Sequence, residues 1–260
     1  MDESGLPLVG RTALVTGASR RRGIGFAVAR RLASMGASVA VHHHRPHDID
    51  VHGEADDVPA LVAELRTLGP GEVVDLDGDL GDADVASGLV GRAVAALGHL
   101  DVLVCNHTHG GDEVSLREAT AEAFDRHWAV GTRATLLLTQ AHAAQHDGRP
   151  GGRVVWMTSG QQLGPMSDNL AYAVSKAALA GATASVAAEL ASSGILLNTV
   201  NPGPVNTGYL DGAPPALLEL FPTGRPGEPD DPARLIAWLV SDEGRWMVGQ
   251  VLNTEGGFRR

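Results

Sequence analysis

Lysine is nearly absent from these 260 residues: Lys176 is its one instance among 20 basic side chains. Cysteine also occurs once, so Cys105 has no partner for an internal disulfide, which fits a reducing compartment. Its setting in the apolar run Asp101-Val102-Leu103-Val104-Cys105 suits a small core residue rather than a nucleophile. A basic excess is missing too. The formal net charge is −11, which argues against a general nucleic-acid or membrane-surface binder, since both need a basic face. The first ten residues lack a charged segment followed by an apolar one, and no apolar run looks long enough to cross a bilayer. A cytoplasmic protein is expected. Without a linker, a repeat or a low-complexity tract, residues 1–260 are read as one domain.

Short β-like runs alternate with helical stretches from end to end. Strands are expected at 12–15, 38–41, 72–75, 102–105, 153–157, 196–200 and 251–253. Helical apolar spacing covers 24–35, 58–68, 83–97, 124–145, 170–191 and 232–241. The alternation predicts an α/β fold of the Rossmann-like, doubly wound type, a seven-stranded parallel sheet with helices on both faces. Ligands of such sheets gather at the carboxyl ends of the strands. The rhythm breaks at 208–228, rich in proline and glycine around Ala216-Leu217-Leu218-Glu219-Leu220, and a lid over a substrate is expected there.

The lone lysine falls in Ala171-Tyr172-Ala173-Val174-Ser175-Lys176, four residues after one of two tyrosines. Positions i and i+4 share a helix face, so a compact ammonium can sit beneath the phenol. There it favours the phenolate and lets Tyr172 act as an acid/base group. Strand one runs directly into Thr16-Gly17-Ala18-Ser19-Arg20-Arg21-Arg22-Gly23-Ile24-Gly25 and then a helix, the setting in which backbone N–H groups cradle a pyrophosphate. The second strand ends in Val41-His42-His43-His44-Arg45 with no carboxylate for two ribose hydroxyls. With His43 at that position, and with Arg20, Arg21, Arg22 and Arg45 available for a 2′-phosphate, NADP(H) is preferred over NAD(H). His42 to His44, His47 and His52 invite a metal, but neighbours on a strand point to opposite faces and no cysteine completes a set. No metal is expected from them, and they are read as solvated loop histidines near the adenosine end.

These residues together resemble the short-chain dehydrogenase/reductase family over essentially the whole chain. The match runs through the Thr16-Gly17 loop, Asp79-Leu80, Asn106, Ser159, Tyr172 and Lys176. It continues through Asn201-Pro202-Gly203-Pro204-Val205-Asn206-Thr207 to the closing Gly249-Gln250-Val251-Leu252-Asn253-Thr254-Glu255-Gly256-Gly257. The branch of similar look is that of 3-oxoacyl-carrier-protein reductases and related ketoreductases. The resemblance implies that Tyr172 exchanges a proton with the substrate oxygen, Ser159 hydrogen-bonds that oxygen and Lys176 holds the nicotinamide ribose. It implies a cofactor site of Gly17, Ser19, Arg20, Arg21, Gly23, Ile24, Gly25, His43, Arg45, Asp79, Leu80, Asn106, Tyr172, Lys176, Pro202, Gly203, Val205 and Thr207. It also implies a homotetramer or homodimer acting on a small-molecule or carrier-bound carbonyl.

Three departures qualify the resemblance. The phosphate loop holds five residues between Gly17 and Gly23, a length similar to the enoyl-reductase branch, so enoyl reduction is an alternative. The motif after strand four, Asn-Asn-Ala-Gly in most relatives, reads Cys105-Asn106-His107-Thr108. In Trp128-Ala129-Val130-Gly131-Thr132, Gly131 stands where many relatives place an asparagine that supports a water-linked proton path to the lysine. A weakly active or non-catalytic cofactor-binding subunit is therefore the other alternative, with His107 and His109 as substitute groups for that path.

Overall fold

The computed structural model describes residues 5–260, so the expectation drawn from the first ten residues falls partly on 1–4, outside the described residues. Seven strands, β1 (Thr12–Val15), β2 (Ser38–His43), β3 (Val73–Asp77), β4 (Val102–Cys105), β5 (Arg153–Met157), β6 (Leu196–Asn201) and β7 (Val251–Asn253), form one sheet in the order β3-β2-β1-β4-β5-β6-β7. Every pairing is parallel, with Leu14 opposite Ala40 on one side and Leu103 on the other. The nine α-helices among the described residues are α1 (Ile24–Ser34), α2 (Arg45–His52), α3 (Val58–Leu65), α4 (Ala83–Leu97), α5 (Ala121–His127), α6 (Ala134–Gln145), α7 (Leu170–Ala191), α8 (Pro215–Leu218) and α9 (Asp230–Val240).

Alternation along the strands divides the core in two. Ala13, Val15, Val39, Val41 and Val104 turn to the face covered by Phe26 and Leu32 of α1, Leu61 of α3 and Ile236 of α9. Leu14, Ala40, Leu103, Val154 and Trp156 turn to the other, beneath Leu89 of α4, Leu138 of α6 and Leu179 of α7. Each fully buried Val, Leu, Ile or Phe among them contributes about 1.5–3 kcal/mol. Trp156 also satisfies its indole by donating Nε1–H to Thr139 Oγ1 at 2.9 Å.

The departures from expectation are local. Residues 45–52 are helix α2 rather than loop; its sequence, RPHDIDVH, lacks an apolar stripe, so periodicity could not reveal it. β2 runs on to His43 because His42 and His43 pair with Leu76 and Asp77 of β3. The helix expected at 124–145 begins earlier, where Thr120 Oγ1 caps Ala123 N–H, and is interrupted by a π-helical turn at Trp128–Arg133. Such turns arise where a helix accommodates an extra residue, often at functional sites. With 22 residues and a mean hydropathy of 1.2, α7 is long and apolar enough to cross a bilayer, against the sequence expectation. It carries the buried ammonium of Lys176 and packs on β5 and β6, as a core helix does.

Candidate active site

Strand order reverses between β1 and β4, and the connections leaving those two strands part to open a cleft at their carboxyl ends. Its volume is about 1100 Å³. That is just above the usual range of small-molecule sites, about 300–1,000 Å³.

One end is made of main chain. Gly17 lies at φ 64°, and a Cβ there would come within 2.9 Å of His107 Cα. A Cβ on Gly25 would overlap the Gly17 carbonyl oxygen and stand 2.7 Å from Asn106 Nδ2. That amide donates to the carbonyls of Thr16 (3.1 Å) and Gly17 (2.9 Å), locking the loop onto the end of β4. His42 does the same from β2: its Nδ1 accepts Gly17 N–H at 3.3 Å and its Nε2–H donates to Gly78 O at 2.9 Å. Burial pushes His42 down to about 4, so the ring is neutral and keeps that tautomer. α1 then begins at Ile24 with Gly23 as N-cap and no side-chain cap or acidic residue in its first turn. Its leading N–H groups and positive dipole end are free for an anion, so the residues present fit a dinucleotide pyrophosphate.

The other end carries the reactive groups. Ser159 follows β5, while Tyr172 and Lys176 lie in the first two turns of α7, and all three line the cleft. Lys176 Nζ stands 5.7 Å from the Tyr172 ring centre and donates to Met157 O at 3.1 Å. Thr158 Oγ1 donates to Lys176 O at 2.8 Å, fixing α7 to the end of β5. Burial holds the Lys176 ammonium down at about 8. For Tyr172 burial dominates and raises the phenol pKa above its usual value, opposed by hydrogen bonding to Ser159. The sequence expectation of a phenolate favoured by Lys176 thus meets the opposite direction here, because desolvation dominates and the opposing effect comes from Ser159 rather than from Lys176.

A family model described as enoyl-(acyl carrier protein) reductase matches residues 17–259. An uncharacterized oxidoreductase of Bacillus subtilis, YjdA, is 37% identical over 256 residues, covering 96% of this chain and 97% of its own. The chain belongs to the short-chain dehydrogenase/reductase family. Among solved members, one from Burkholderia cenocepacia in complex with NADP is 33% identical with a TM-score of 0.83, covering 96% of this chain and 98% of its own. The angucycline C-6 ketoreductase LanV with bound NADP is 32% identical with the same TM-score, covering 96% of each chain.

In this short-chain dehydrogenase/reductase, Gly17, Ser19, Arg20, Gly23, Ile24, Asp79, Leu80, Asn106, Pro202, Gly203, Val205 and Thr207 all line the cleft with the three reactive residues. Gly25 is buried behind it. Four positions differ from the sequence assignment. His43 faces away and sits between Asp75 (3.2 Å) and Asp77 (3.4 Å), and Arg45 is exposed at the start of α2, outside the cleft. Arg21 turns outward to pair with Glu64, and Arg22 binds Asp211 at 2.6 and 2.8 Å. Only Arg20 of the three remains in the cleft, held by His52 Nε2 at 3.0 Å and Thr207 O at 3.1 Å. His42, His44, His47, Asp48 and His52 line it instead, and His42 and His43 are buried rather than solvated. Strand alternation held the missed signal: His42 and His44 share a face that His43 cannot share.

His107 and Gly131 also find physical explanations. His107 is buried, Nδ1 lying 2.6 Å from Thr16 Oγ1, and burial together with His42 and Lys176 keeps it neutral. At Gly131, a Cβ would stand 3.0 Å from Ser175 Oγ, so glycine lets the π turn close onto α7. Cys105 is buried with its thiol pKa pushed up, as a core residue.

Proposed function

We propose that this enzyme reduces a carbonyl to an alcohol with NADPH, with Tyr172 as proton donor. The supporting observation is that Ser159, Tyr172 and Lys176 line the same cleft whose far end is the uncapped N-terminus of α1. Bound across it, the reduced nicotinamide supplies a hydride to the carbonyl carbon. Ser159 donates a hydrogen bond to the carbonyl oxygen, and Tyr172 delivers its phenolic proton as charge develops there. Lys176 holds the nicotinamide ribose and keeps a positive charge under the phenol. The raised phenol pKa keeps Tyr172 protonated at neutral pH, the form that donates a proton.

Arg20 and His44 at the adenosine end, with the NADP held by two solved relatives, support NADPH. Asp48 opposes it: this buried carboxylate lines the same wall with Oδ2 unpartnered among the described residues, and it suits ribose hydroxyls better than a phosphate. The ratio of kcat/KM for NADPH and NADH decides between them, and a ratio below one removes NADP from the proposal. Residues 208–228 form the substrate lid, from which Tyr209 reaches the cleft. We take the enzyme to be cytoplasmic and to act on a small-molecule or carrier-bound carbonyl. It assembles as a homotetramer or homodimer through exposed small residues of α7 such as Ala177, Gly181 and Ala184, which light scattering tests.

Tyr172→Phe is expected to cut turnover by at least about 10²-fold while leaving NADPH binding nearly intact. Full activity in that variant overturns the mechanism. Absence of wild-type turnover across a broad carbonyl panel favours the non-catalytic reading of Gly131. Enoyl reduction is favoured by the description of the matching family model and by the long phosphate loop. The four-residue step from Tyr172 to Lys176 weighs against it, and matched enoyl and 3-ketoacyl thioesters separate the two by NADPH consumption.

A further inference from the structure

We propose that His109, Asp112 and His127 form a binding site for one divalent transition ion of the zinc class, in the cleft wall beside Tyr172. One ligand atom from each lies within 4.8 Å of the others. An ion at about 2.0–2.2 Å from each donor needs neighbouring donors roughly 3.3–3.5 Å apart, and His109 Nε2 and Asp112 Oδ2 already stand at 3.3 Å. The His127 ring meets the His109 ring edge-on, with centres 4.9 Å apart, so a small closure of the loop completes the set.

The surroundings support this in three ways. His127, the last residue of α5, is buried, and its Nδ1 has no partner among the described residues, although buried ring nitrogens are normally satisfied. Asp112 has the one positive φ (54°) outside glycine among the described residues, directly after Gly111, and this turn directs its carboxylate back to His109. Arg126 grips the same carboxylate, Nε to Oδ2 and Nη2 to Oδ1, each at 2.9 Å. The ion takes Oδ2, and Arg126 keeps Oδ1 as the outer partner that orients the ligand.

Two imidazoles and one carboxylate select a borderline transition ion over magnesium or calcium, which prefer all-oxygen cages, and three protein ligands leave a position for water. This set shares no residue with the histidines of 42–52, on which the expectation of no metal was based, although the His47 ring lies 5.5 Å from that of His109. Loading fastens the loop after β4 to α5, behind the Tyr172 ring that His127 meets edge-on at 6.2 Å. The site needs neither NADPH nor turnover, so its test is independent of the proposed reaction.

The test is equilibrium dialysis of the full-length protein against Zn²⁺ and against Co²⁺, with metal analysis and the visible spectrum of the cobalt form. One ion per chain is expected, with intense cobalt bands of low coordination number. His109→Ala and His127→Ala should each weaken binding by more than the roughly 10- to 100-fold that loss of an outer-shell partner costs, while His52→Ala should not. Should His127→Ala fail to fold, His109→Ala, in a partly exposed loop, carries the same comparison. No uptake by the wild type, or uptake unchanged in His109→Ala, overturns the proposal.

Discussion

The two ends of the cleft are built by different means. At the phosphate end the walls are backbone: Gly17, Gly25 and the carbonyls that Asn106 ties together leave no room for another atom. Around the reacting groups the walls are side chains on loops, His109, Met166 and Tyr209 among them, held by hydrogen bonds and exposed ion pairs. A wall of main chain fixes one ligand shape; a wall of side chains can be altered residue by residue without unmaking the fold.

The hardest way to break that contrast is Gly25→Ala. Its new methyl group would overlap the Gly17 carbonyl oxygen, so the loop must open. We expect destabilisation of at least about 1–3 kcal/mol and loss of NADPH binding, read by thermal melting and cofactor fluorescence. If the variant binds NADPH as the wild type does, the phosphate end is not the rigid one.

Lys176→Met comes next, since it removes the one charge buried at the reactive end. Turnover should fall with little change in the sheet, as followed by kcat and circular dichroism. The pH dependence has a definite sign. Burial lowers the folded pKa to about 8 from 10.5, so the unfolded chain holds this proton over a range in which the folded chain has lost it. Stability from this group is present above about 10.5 and is lost as pH falls through about 8. Melting temperatures of cofactor-free wild type should therefore rise relative to Lys176→Met between pH 7 and 10, and parallel curves would mean that the ammonium is not desolvated.

The same contrast governs what could be read from sequence. Tyr172 and Lys176 were legible from helix spacing and Gly17 from the turn that leaves β1, whereas Ser159 and Asn106 came from the family resemblance; the structure lines one cleft with all five. His43 and Arg45 were misplaced because choosing the cleft-facing residue at the end of β2 requires the phase of the strand, which the run His42-His43-His44 hides. Arg21 and Arg22 looked like phosphate ligands, but their partners, Glu64 and Asp211, are distant in sequence. Helix α2 and the π turn were invisible for another reason: neither leaves a mark in apolar periodicity.

Gly131→Ala is a smaller and finer probe. Replacing a helical glycine gains up to about 1 kcal/mol, while the added methyl group meets Ser175 Oγ at 3.0 Å, and that hydroxyl donates to Tyr172 O at 2.8 Å. We expect a change in melting temperature of a few degrees at most, positive only in a Ser175→Ala background, where the obstruction is gone. A clear gain in the single variant would show that the π turn has slack and belongs with the adjustable walls.

The smallest effect is expected where the two ends meet, at the pair of Arg22 in the phosphate loop and Asp211 in residues 208–228. Asp211 also accepts from Asn206 Nδ2 at 3.0 Å, so the carboxylate ties the lid at two points. Both partners are exposed, and such pairs contribute little and are screened by salt. The Arg22 hydrogen bonds, with that from Asn206, hold Asp211 down at about 2, so its contribution is present above the ordinary carboxylate range and lost only as pH falls through about 2. pH is therefore the wrong lever across the working range, and ionic strength the right one. Arg22→Ala should raise KM a few-fold at low salt, leave kcat and the NADPH affinity unchanged, and converge on the wild type as salt is added. A loss of NADPH affinity instead would mean that Arg22 serves the rigid end of the cleft rather than the lid.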